Sequence, residues 1–401
     1  MIVYQAIGQM MLNSLVGAGV GTAQRLADYV VLAHDPAVKE QAVDFWEFSE
    51  PHYQAVVAEI RAGASPTVRE RLDALARTPA SRPAYWAFVA AVTVDERLSE
   101  AVLAADQQIL IDHALGPDYA EDAAAEVSYQ ELSGLPGPAP GPAPTDTPVQ
   151  IVIPFGDDAS GGRVRNLLAC LHALRDQSAS RDQYTVTVVE AAAAPLWKPL
   201  IEPVADVYLF ARKPGAFNKS WAVNVGVASS PRRHRLLCVL DSDILVDRHF
   251  VQRNAGRLGG GADHVAHLPF LWAFNLGEQA SSLAIRHRVI DGNADVPLEV
   301  LRGFLKRGSP GGCLWVTGAA FHQVAGFDER FEGWGGEDDD VDARLTRVGA
   351  FRRYDDPLLH LHHPRATMTD GQGTLLNAHV ERGSWPADAP YGDITRYDQA
   401  R

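Results

Sequence analysis

A proline- and glycine-rich segment, LPGPAPGPAPTDTP at residues 135–148, divides the sequence into two stretches of different character. Such a composition is typical of an extended, semi-rigid spacer. A chain of 401 residues is also long enough for two domains. We therefore predict an N-terminal domain at residues 1–132, a linker at 133–148 and a second domain at 149–401.

The first stretch is predicted to be an all-helical domain. Alanine-rich runs such as AYWAFVAAVTVDERLSEAVLAADQQILIDHAL are typical of helices, and none of them has the spacing of a catalytic motif. The initial MIVYQAIGQMMLNSLVGAGVG is apolar, but it lacks a basic start and polar residues interrupt it at helical spacing. We interpret it as an amphipathic helix, neither a signal peptide nor a membrane span.

After the spacer, short apolar runs alternate with helical patterns. The segments VQIVIPF, YTVTVVEA, VADVYLF and RLLCVLDSD are predicted strands, and RVRNLLACLHALRDQ and KSWAVNVGVASS are predicted helices. This order predicts an α/β fold with a mixed sheet flanked by helices. Such sheets bind ligands beyond the carboxyl ends of their strands.

The charge balance and the cysteines narrow the function classes. The chain has 36 basic and 50 acidic residues, a net charge of −14, which argues against a nucleic-acid binder or a polybasic membrane anchor. Cys170, Cys238 and Cys313 lie far apart in apolar surroundings. We expect reduced core cysteines in a cytoplasmic protein. A homo-oligomer is left open.

Two acidic motifs suggest a site. Asp241 and Asp243 follow a predicted buried strand and share one face of it, although Asp-x-Asp alone is a weak signal. In FEGWGGEDDDVDARL, residues 331–345, apolar residues recur at helical spacing after two glycines. Glu337 and Asp338 then flank the apolar stripe, and inward carboxylates indicate a partner or substrate.

The other acids of this run are predicted to lie on a solvated helix face. Asp339, Asp340 and Asp342 point away from the stripe, and Asp340 can pair with Arg344 at i+4. The acidic run does not resemble a calcium-binding loop, in which the ligands occupy alternate positions around a central glycine.

A third motif, YDDPLLHLHHPR, carries three histidines. A strand places His360 and His362 on one side and His363 on the other. Histidine beside carboxylates suits manganese or a similar divalent ion. Any one of the three, taken singly, is better explained as a packed or surface histidine.

Together these pieces resemble the GT-A glycosyltransferases, and in particular the branch shared by β-1,4-galactosyltransferases and bacterial chondroitin-type polymerases. The matching segments are IVIPF, FNKSWAVNVG, DSD, GG…GFDERFEGWGGEDDD and a final histidine, in the family's order within residues 149–365. The resemblance implies a nucleotide-sugar site formed by Pro154, Phe155, Phe217, Asn218, Lys219, Asp241, Gly311 and Gly312.

The resemblance also implies the remaining roles. Trp334 would form the acceptor platform, Glu337 would hold sugar hydroxyls, and Asp338 would be the catalytic base. Asp243 and, counted from Trp334, His362 would bind Mn²⁺ or Mg²⁺.

The implied activity is metal-dependent, inverting transfer of a hexose-type sugar from a UDP-sugar donor to a hydroxyl-bearing acceptor, a glycan or a small molecule. One departure from the family is GDDASGGRVRN after the first strand, where Arg163 or Arg165 would replace the usual arginines. The alternatives are a retaining N-acetylgalactosaminyltransferase-like enzyme, a nucleotidyltransferase and a non-catalytic sugar-binding module. The sugar and the acceptor are left open.

Overall fold

The structure, a computed structural model, describes most of the chain. The described residues are 21–120, 125–136, 147–157, 161–259, 263–364, 369–370 and 374–398, without the side chains of 41–44. All of the amphipathic helix predicted over residues 1–21 except Gly21 lies outside them, as do most of the predicted linker and part of the GDDASGGRVRN segment.

The described residues of the N-terminal part form five helices, followed by a strand. They are α1 (Thr22–His34), α2 (Pro36–Gly63), α3 (Pro66–Arg77), α4 (Arg82–Ala91), α5 (Glu96–Asp106) and β1 (Ile111–Leu115). The helices begin where the sequence supplies caps: the side chains of Asp35, Ser65, Ser81 and Asp95 each accept a hydrogen bond from a backbone N–H of the first turn.

The rest of the chain alternates strands and helices. The strands are β2 (Val149–Phe155), β3 (Tyr184–Ala192), β4 (Val207–Arg212), β5 (Leu236–Leu240), β6 (Ile244–Leu245), β7 (His264–Leu268), β8 (Trp272–Leu276), β9 (Arg302–Arg307), β10 (Cys313–Thr317), β11 (Ala350–Arg353) and β12 (Leu358–His360). The helices are α6 (Tyr129–Ser133), α7 (Gly162–Arg175), α8 (Lys198–Ile201), α9 (Lys219–Ala228), α10 (Phe250–Leu258), α11 (Glu278–Ile285), α12 (Gly318–Gln323) and α13 (Glu337–Thr346). A π-helical turn spans Arg286–Ile290, and 3-10 turns span Arg181–Gln183 and Leu298–Val300.

The chain forms two compact units that are not contiguous in sequence. The first comprises the described residues up to Ala125 together with Trp272–Leu283 and Pro297–Gly308. The second comprises Glu126–Leu271, Ala284–Val296 and the residues from Ser309 onward. The structure therefore divides the chain differently from the predicted boundaries at 132 and 149.

The first unit also contains strands, so the prediction of an all-helical N-terminal domain is corrected. β1 pairs antiparallel with β9, and β9 pairs antiparallel with β8. Buried ion pairs join these elements: Asp112 of β1 contacts Arg25 of α1 at 2.9 Å and Arg307 of β9 at 2.7 Å. The strand was missed because five residues, IDHAL, are too few for their periodicity to separate a strand from a helix, and the partner strand lies almost 200 residues away.

The second unit is built on a seven-stranded mixed sheet in the order β11-β7-β10-β5-β2-β3-β4. The strands β5, β2, β3 and β4 run parallel, whereas β10 runs antiparallel to β5 and β7. All residues of β2 and β5 are buried. Helix α9 packs tightly on this layer, since a Cβ at Gly226 would lie 2.5 Å from Val152. The predicted α/β fold with a mixed sheet and flanking helices is confirmed.

The three cysteines are buried and free. Cys238 and Cys313 lie on the neighbouring strands β5 and β10 with their sulfur atoms 4.0 Å apart. They are core residues, as predicted from their apolar surroundings. None of the helices that the structure describes combines the length and the apolar composition needed to cross a membrane.

Candidate active site

The candidate site begins where β5 ends. Asp241 is the first residue after this strand, and its backbone N–H donates to the Gly312 carbonyl at 2.9 Å. Because β2 runs parallel to β5, Phe155 and the residues that follow it lie at the same edge of the sheet. The predicted location beyond the carboxyl ends of parallel strands therefore holds for both segments.

Lys219 joins the two acidic motifs. It is the first residue of α9, and its side chain is only 12% exposed. Its Nζ lies 2.9 Å from an Asp241 oxygen, 3.0 Å from an Asp338 oxygen and 4.0 Å from Glu337 Oε1. Asp241 and Asp338 contact the same nitrogen, so the end of β5 and the start of α13 meet here.

Burial sets the electrostatics of these groups. It raises the pKa of Asp241 to about 6, although the Lys219 ammonium opposes the shift. Burial, and then the Asp338 charge, raise the pKa of Glu337 to about 7. Burial alone would lower the pKa of Lys219, but the surrounding carboxylates outweigh it and raise that pKa. The Lys219 ammonium therefore lies among carboxyl groups of which Asp241 and Glu337 have pKa values raised towards neutrality.

Glycines allow the close approach of Asp338. A Cβ at Gly311 would lie 2.1 Å from Asp338 Oδ2, so this glycine packs directly against the carboxylate. Gly336 enters α13 with φ of 98°, a left-handed conformation that glycine adopts readily, and its backbone packs against Phe331. The Gly335 N–H donates to Glu337 Oε2 at 3.2 Å.

A candidate metal centre lies at Asp243. Its ligand atoms and those of His360 and His363 all lie within 4.8 Å of one another. His363 Nε2 is 3.0 Å from Asp243 Oδ2, and His360 Nε2 is 3.5 Å from Oδ1. Burial would raise the pKa of Asp243, but the two histidines and Arg163 outweigh it and hold that pKa well below its ordinary value.

The donor set fits a divalent cation. Asp243 is 7% exposed, and its Oδ1 is buried but accepts no hydrogen bond from the residues that the structure describes. A buried carboxylate oxygen without a donor is costly, and a cation would satisfy it. One carboxylate with two imidazoles is a known donor set for Mn²⁺, Fe²⁺ and related ions.

His362, the predicted metal ligand, is not part of this cluster. Its backbone carbonyl accepts hydrogen bonds of 3.0 Å from Arg165 and Asn166 of α7. The choice of His362 came from its distance along the chain from Trp334; the strand predicted through the three histidines ends at His360. The proposed ligands therefore become His360 and His363.

The other predicted nucleotide-sugar residues have mixed placements. Pro154 and Phe155 are buried at the end of β2. The Phe217 ring packs against Gly156, where a Cβ would be 2.7 Å from the ring, which brings it to the same sheet edge. Asn218, in contrast, uses both ends of its amide within the protein: it accepts from Trp221 N and donates to the Glu329 carbonyl.

Trp334, the predicted acceptor platform, is half-buried in a loop held at both sides. The Gly333 N–H donates to the Phe217 carbonyl at 2.8 Å. Asn377 accepts from Glu332 N at 3.2 Å and donates to the Gly335 carbonyl at 2.8 Å. No motif pointed to Asn377, because it acts through backbone groups that lie 42 and 45 residues away along the chain.

The acidic run is less solvated than predicted. Asp339 is exposed, but Asp340 is fully buried in an ion pair with Arg344, with 2.7 Å between Nη2 and Oδ2. Asp340 also accepts from the Gly383 N–H. The i+4 pairing was predicted. The prediction of a solvated face is wrong for Asp340, because a later segment of the chain covers it, and Asp342 is half-buried.

One segment of the chain matches a known family. Residues 306–364 match the family model described as the N-terminal domain of galactosyltransferase. The segment contains Gly311, Gly312, Trp334, Glu337, Asp338 and the histidines of the metal cluster. The predicted resemblance is thus confirmed over less than half of the chain. No curated protein sequence matches.

Two solved structures are similar at low identity. A mannosyltransferase from Pyrobaculum calidifontis in complex with GDP-Man and Mn²⁺ has 14% identity and a TM-score of 0.36, covering 58% of this chain and 62% of its own. The catalytic domain of Drosophila β-1,4-galactosyltransferase 7 in complex with xylobiose has 14% identity and a TM-score of 0.32, covering 58% and 73%. The chain spans less than two thirds of the mannosyltransferase. At these scores neither likeness bears on the site. The matched segment is similar to part of the galactosyltransferase family, and the second unit has the mixed α/β sheet that was predicted from the sequence.

Proposed function

We propose that this protein is a metal-dependent, inverting glycosyltransferase that moves a hexose-type sugar from a UDP-sugar to an acceptor hydroxyl. The observation that supports it most directly is that the Lys219 ammonium contacts both Asp241 and Asp338. Asp241 in turn lies two residues before Asp243 of the candidate metal centre. A candidate proton acceptor and a candidate cation site thereby belong to one edge of the sheet. A cytoplasmic location is part of the proposal.

Asp338 is the proposed base. It accepts the proton of the acceptor hydroxyl while that oxygen attacks the anomeric carbon and the bond from this carbon to the diphosphate oxygen breaks. Contacts with Lys219 and Gly311 orient the carboxylate before the substrates arrive. Glu337, whose pKa lies near neutrality, can both donate to and accept from sugar hydroxyls.

Asp243, His360 and His363 would hold the metal ion, which stabilises the charge of the departing diphosphate. Two imidazoles favour Mn²⁺ over Mg²⁺, because Mg²⁺ prefers an octahedron of oxygen ligands. Phe155 and Phe217, at the same edge of the sheet, are the proposed neighbours of the nucleotide base.

The alternative reactions make different products. An N-acetylgalactosaminyltransferase-like enzyme would retain the anomeric configuration, and the carboxylate of Asp338 beside Lys219 argues for inversion instead. A nucleotidyltransferase would release pyrophosphate. A non-catalytic sugar-binding module would release neither UDP nor pyrophosphate.

A donor panel tests the proposal. The protein is incubated with Mn²⁺ and UDP-linked glucose, galactose, N-acetylhexosamines or glucuronic acid, with glycan and small-molecule acceptors, and released UDP is measured. We expect UDP release with one donor class and, by NMR, a product of inverted anomeric configuration. Pyrophosphate release or a retained anomer would reject the proposal.

The variant Asp338→Asn tests the base, with Asp339→Asn as the matched control on the same turn. We expect the first variant to lose ~10²–10⁴-fold in turnover, because positioned proton transfer contributes that much. UDP binding should survive, and Asp339→Asn should stay active because that side chain is exposed. Near-normal turnover of Asp338→Asn would remove Asp338 from the mechanism.

A further inference from the structure

A side chain from the C-terminal segment joins the two flanks of the loop that carries Trp334. Asn377 Oδ1 accepts a hydrogen bond from the Glu332 N–H at 3.2 Å, and Asn377 Nδ2 donates one to the Gly335 carbonyl at 2.8 Å. The two bonds reach the backbone on both sides of Trp334. A single amide thereby fixes the span of residues 332–335.

The glycines of this loop explain why it needs such a support. Gly333 and Gly335 flank Trp334 with φ of 74° and 107°, conformations that glycine adopts readily. The same freedom gives glycine a large loss of conformational entropy when its backbone is held in one conformation. Because both groups that Asn377 contacts are backbone groups, its hydrogen bonds offset this loss directly.

The turn that presents Asn377 is itself well held. The Asn377 carbonyl accepts from the Val380 N–H at 3.0 Å, and the Val380 side chain is buried. The preceding Leu376 lies over the loop, since a Cβ at Gly333 would be 3.3 Å from the leucine Cδ1. The amide therefore projects from a turn that is fixed by its own hydrogen bond and by packing against the same loop.

Other contacts hold one flank of the loop each. Before Trp334, the Glu332 carboxylate lies 3.5 Å from Lys213 Nζ. After Trp334, the Gly335 N–H donates to the Glu337 carboxylate at 3.2 Å. Neither of these contacts links one flank to the other, which is what the amide of the C-terminal turn does.

The candidate base does not depend on this link. Asp338 contacts Lys219 at 3.0 Å and packs against Gly311. Helix α13 is anchored further along by the buried ion pair between Asp340 and Arg344. Loosening the loop should therefore displace Trp334 and leave the proton acceptor in place.

We propose that Asn377 is a positioning residue for the acceptor. It holds the backbone that carries Trp334, so that a ring of the acceptor packs on the indole face, and it takes no part in proton transfer. The apparent affinity of a site falls with the fraction of molecules in the competent conformation, so a loosened loop weakens acceptor binding. The inference rests on the proposed glycosyl transfer, with Trp334 as the acceptor platform that the family resemblance implies.

Hydrogen exchange on Asn377→Ala tests whether the side chain holds the loop, with His379→Ala, an exposed residue of the same turn, as the matched control. The readout is the Gly333 amide, whose partner is the Phe217 carbonyl at 2.8 Å and not Asn377. We expect this amide to exchange at least about tenfold faster in Asn377→Ala, because two hydrogen bonds of ordinary strength are lost, and to be unchanged in the control. An unchanged Gly333 amide in the folded variant would overturn the proposal.

Steady-state kinetics separate acceptor binding from the chemical step. With the donor and acceptor found in the panel, we expect Asn377→Ala to raise the acceptor KM at least about tenfold. The donor KM, the Mn²⁺ affinity and kcat should stay within about threefold of the parent protein, and so should UDP release to water without an acceptor. A general loss of structure would change these quantities together. An unchanged acceptor KM, or an equal rise in both KM values, would reject Asn377 as an acceptor-positioning residue.

Failure of the proposed function would give a different result. The parent protein would then release no UDP with any donor of the panel, or it would release pyrophosphate. In that case the acceptor role of Asn377 is rejected together with the function, whereas faster exchange of the Gly333 amide would still assign Asn377 as the support of the loop.

Discussion

The variant Gly311→Ala tests the placement of Asp338 without replacing any ionisable residue. Gly311 does not have a positive φ, so alanine suits the backbone. Its Cβ, however, would lie 2.1 Å from Asp338 Oδ2, and ordinary contact begins at 3.4 Å. The carboxylate oxygen must move by about 1.3 Å, and the bond to Lys219 is disturbed. A misplacement of about 1 Å can cost ~100-fold in rate, equivalent to about 2.7 kcal/mol of transition-state stabilisation.

Stability should change little, since the obstructing atom is the end of a flexible side chain and not backbone. Gly256→Ala in α10 is the matched control, because nothing lies within 4 Å of its added Cβ. The assay compares kcat for sugar transfer and the unfolding midpoint of both variants with the parent protein. A folded Gly311→Ala protein with the parental kcat would refute the argument that Gly311 positions Asp338.

The remaining predictions concern metal binding, folding and pH. His363→Ala should weaken Mn²⁺ affinity in calorimetric titration, whereas His362→Ala should keep it; the reverse result would restore the ligand predicted from the sequence. Arg344→Met should destabilise the protein by about 3–5 kcal/mol in urea unfolding, because it leaves Asp340 buried and unpaired; a loss under about 1 kcal/mol would contradict this. Burial raises the pKa of Asp342 to about 8, so the folded state keeps a proton that the unfolded state releases near pH 4. The resulting stability is lost as the pH rises from about 4 through 8, and Asp342→Asn should flatten this fall when unfolding midpoints at pH 5 and pH 8 are compared; an unchanged slope would exclude Asp342 as its source.

The sequence was most informative where local patterns determine structure. The four strands read from VQIVIPF to RLLCVLDSD correspond to β2 to β5, and the helix predicted after Gly336 is α13. Parallel strands have their carboxyl ends at one edge of a sheet, so the location of Asp241 followed from that pattern.

Contacts between distant segments could not be derived from local periodicity. The choice among the three histidines depends on where β12 ends, and the burial of Asp340 depends on Gly383. The two hydrogen bonds of the Asn377 side chain are made with backbone groups of a distant loop. Each of these features depends on tertiary packing, and local patterns in a single sequence do not show which distant residues come into contact.

The strand pairing of the first unit has a practical consequence for anyone who wishes to shorten this protein. A fragment ending at the proline-rich segment would lack Arg302–Arg307, and with it the neighbour that completes the backbone hydrogen bonds of β1. It would also lose the Arg307 guanidinium, one of the two that form ion pairs with Asp112. The obvious cut in the sequence is therefore the wrong place to separate the molecule. A fragment meant to keep the first unit would have to include Trp272–Leu283 and Pro297–Gly308.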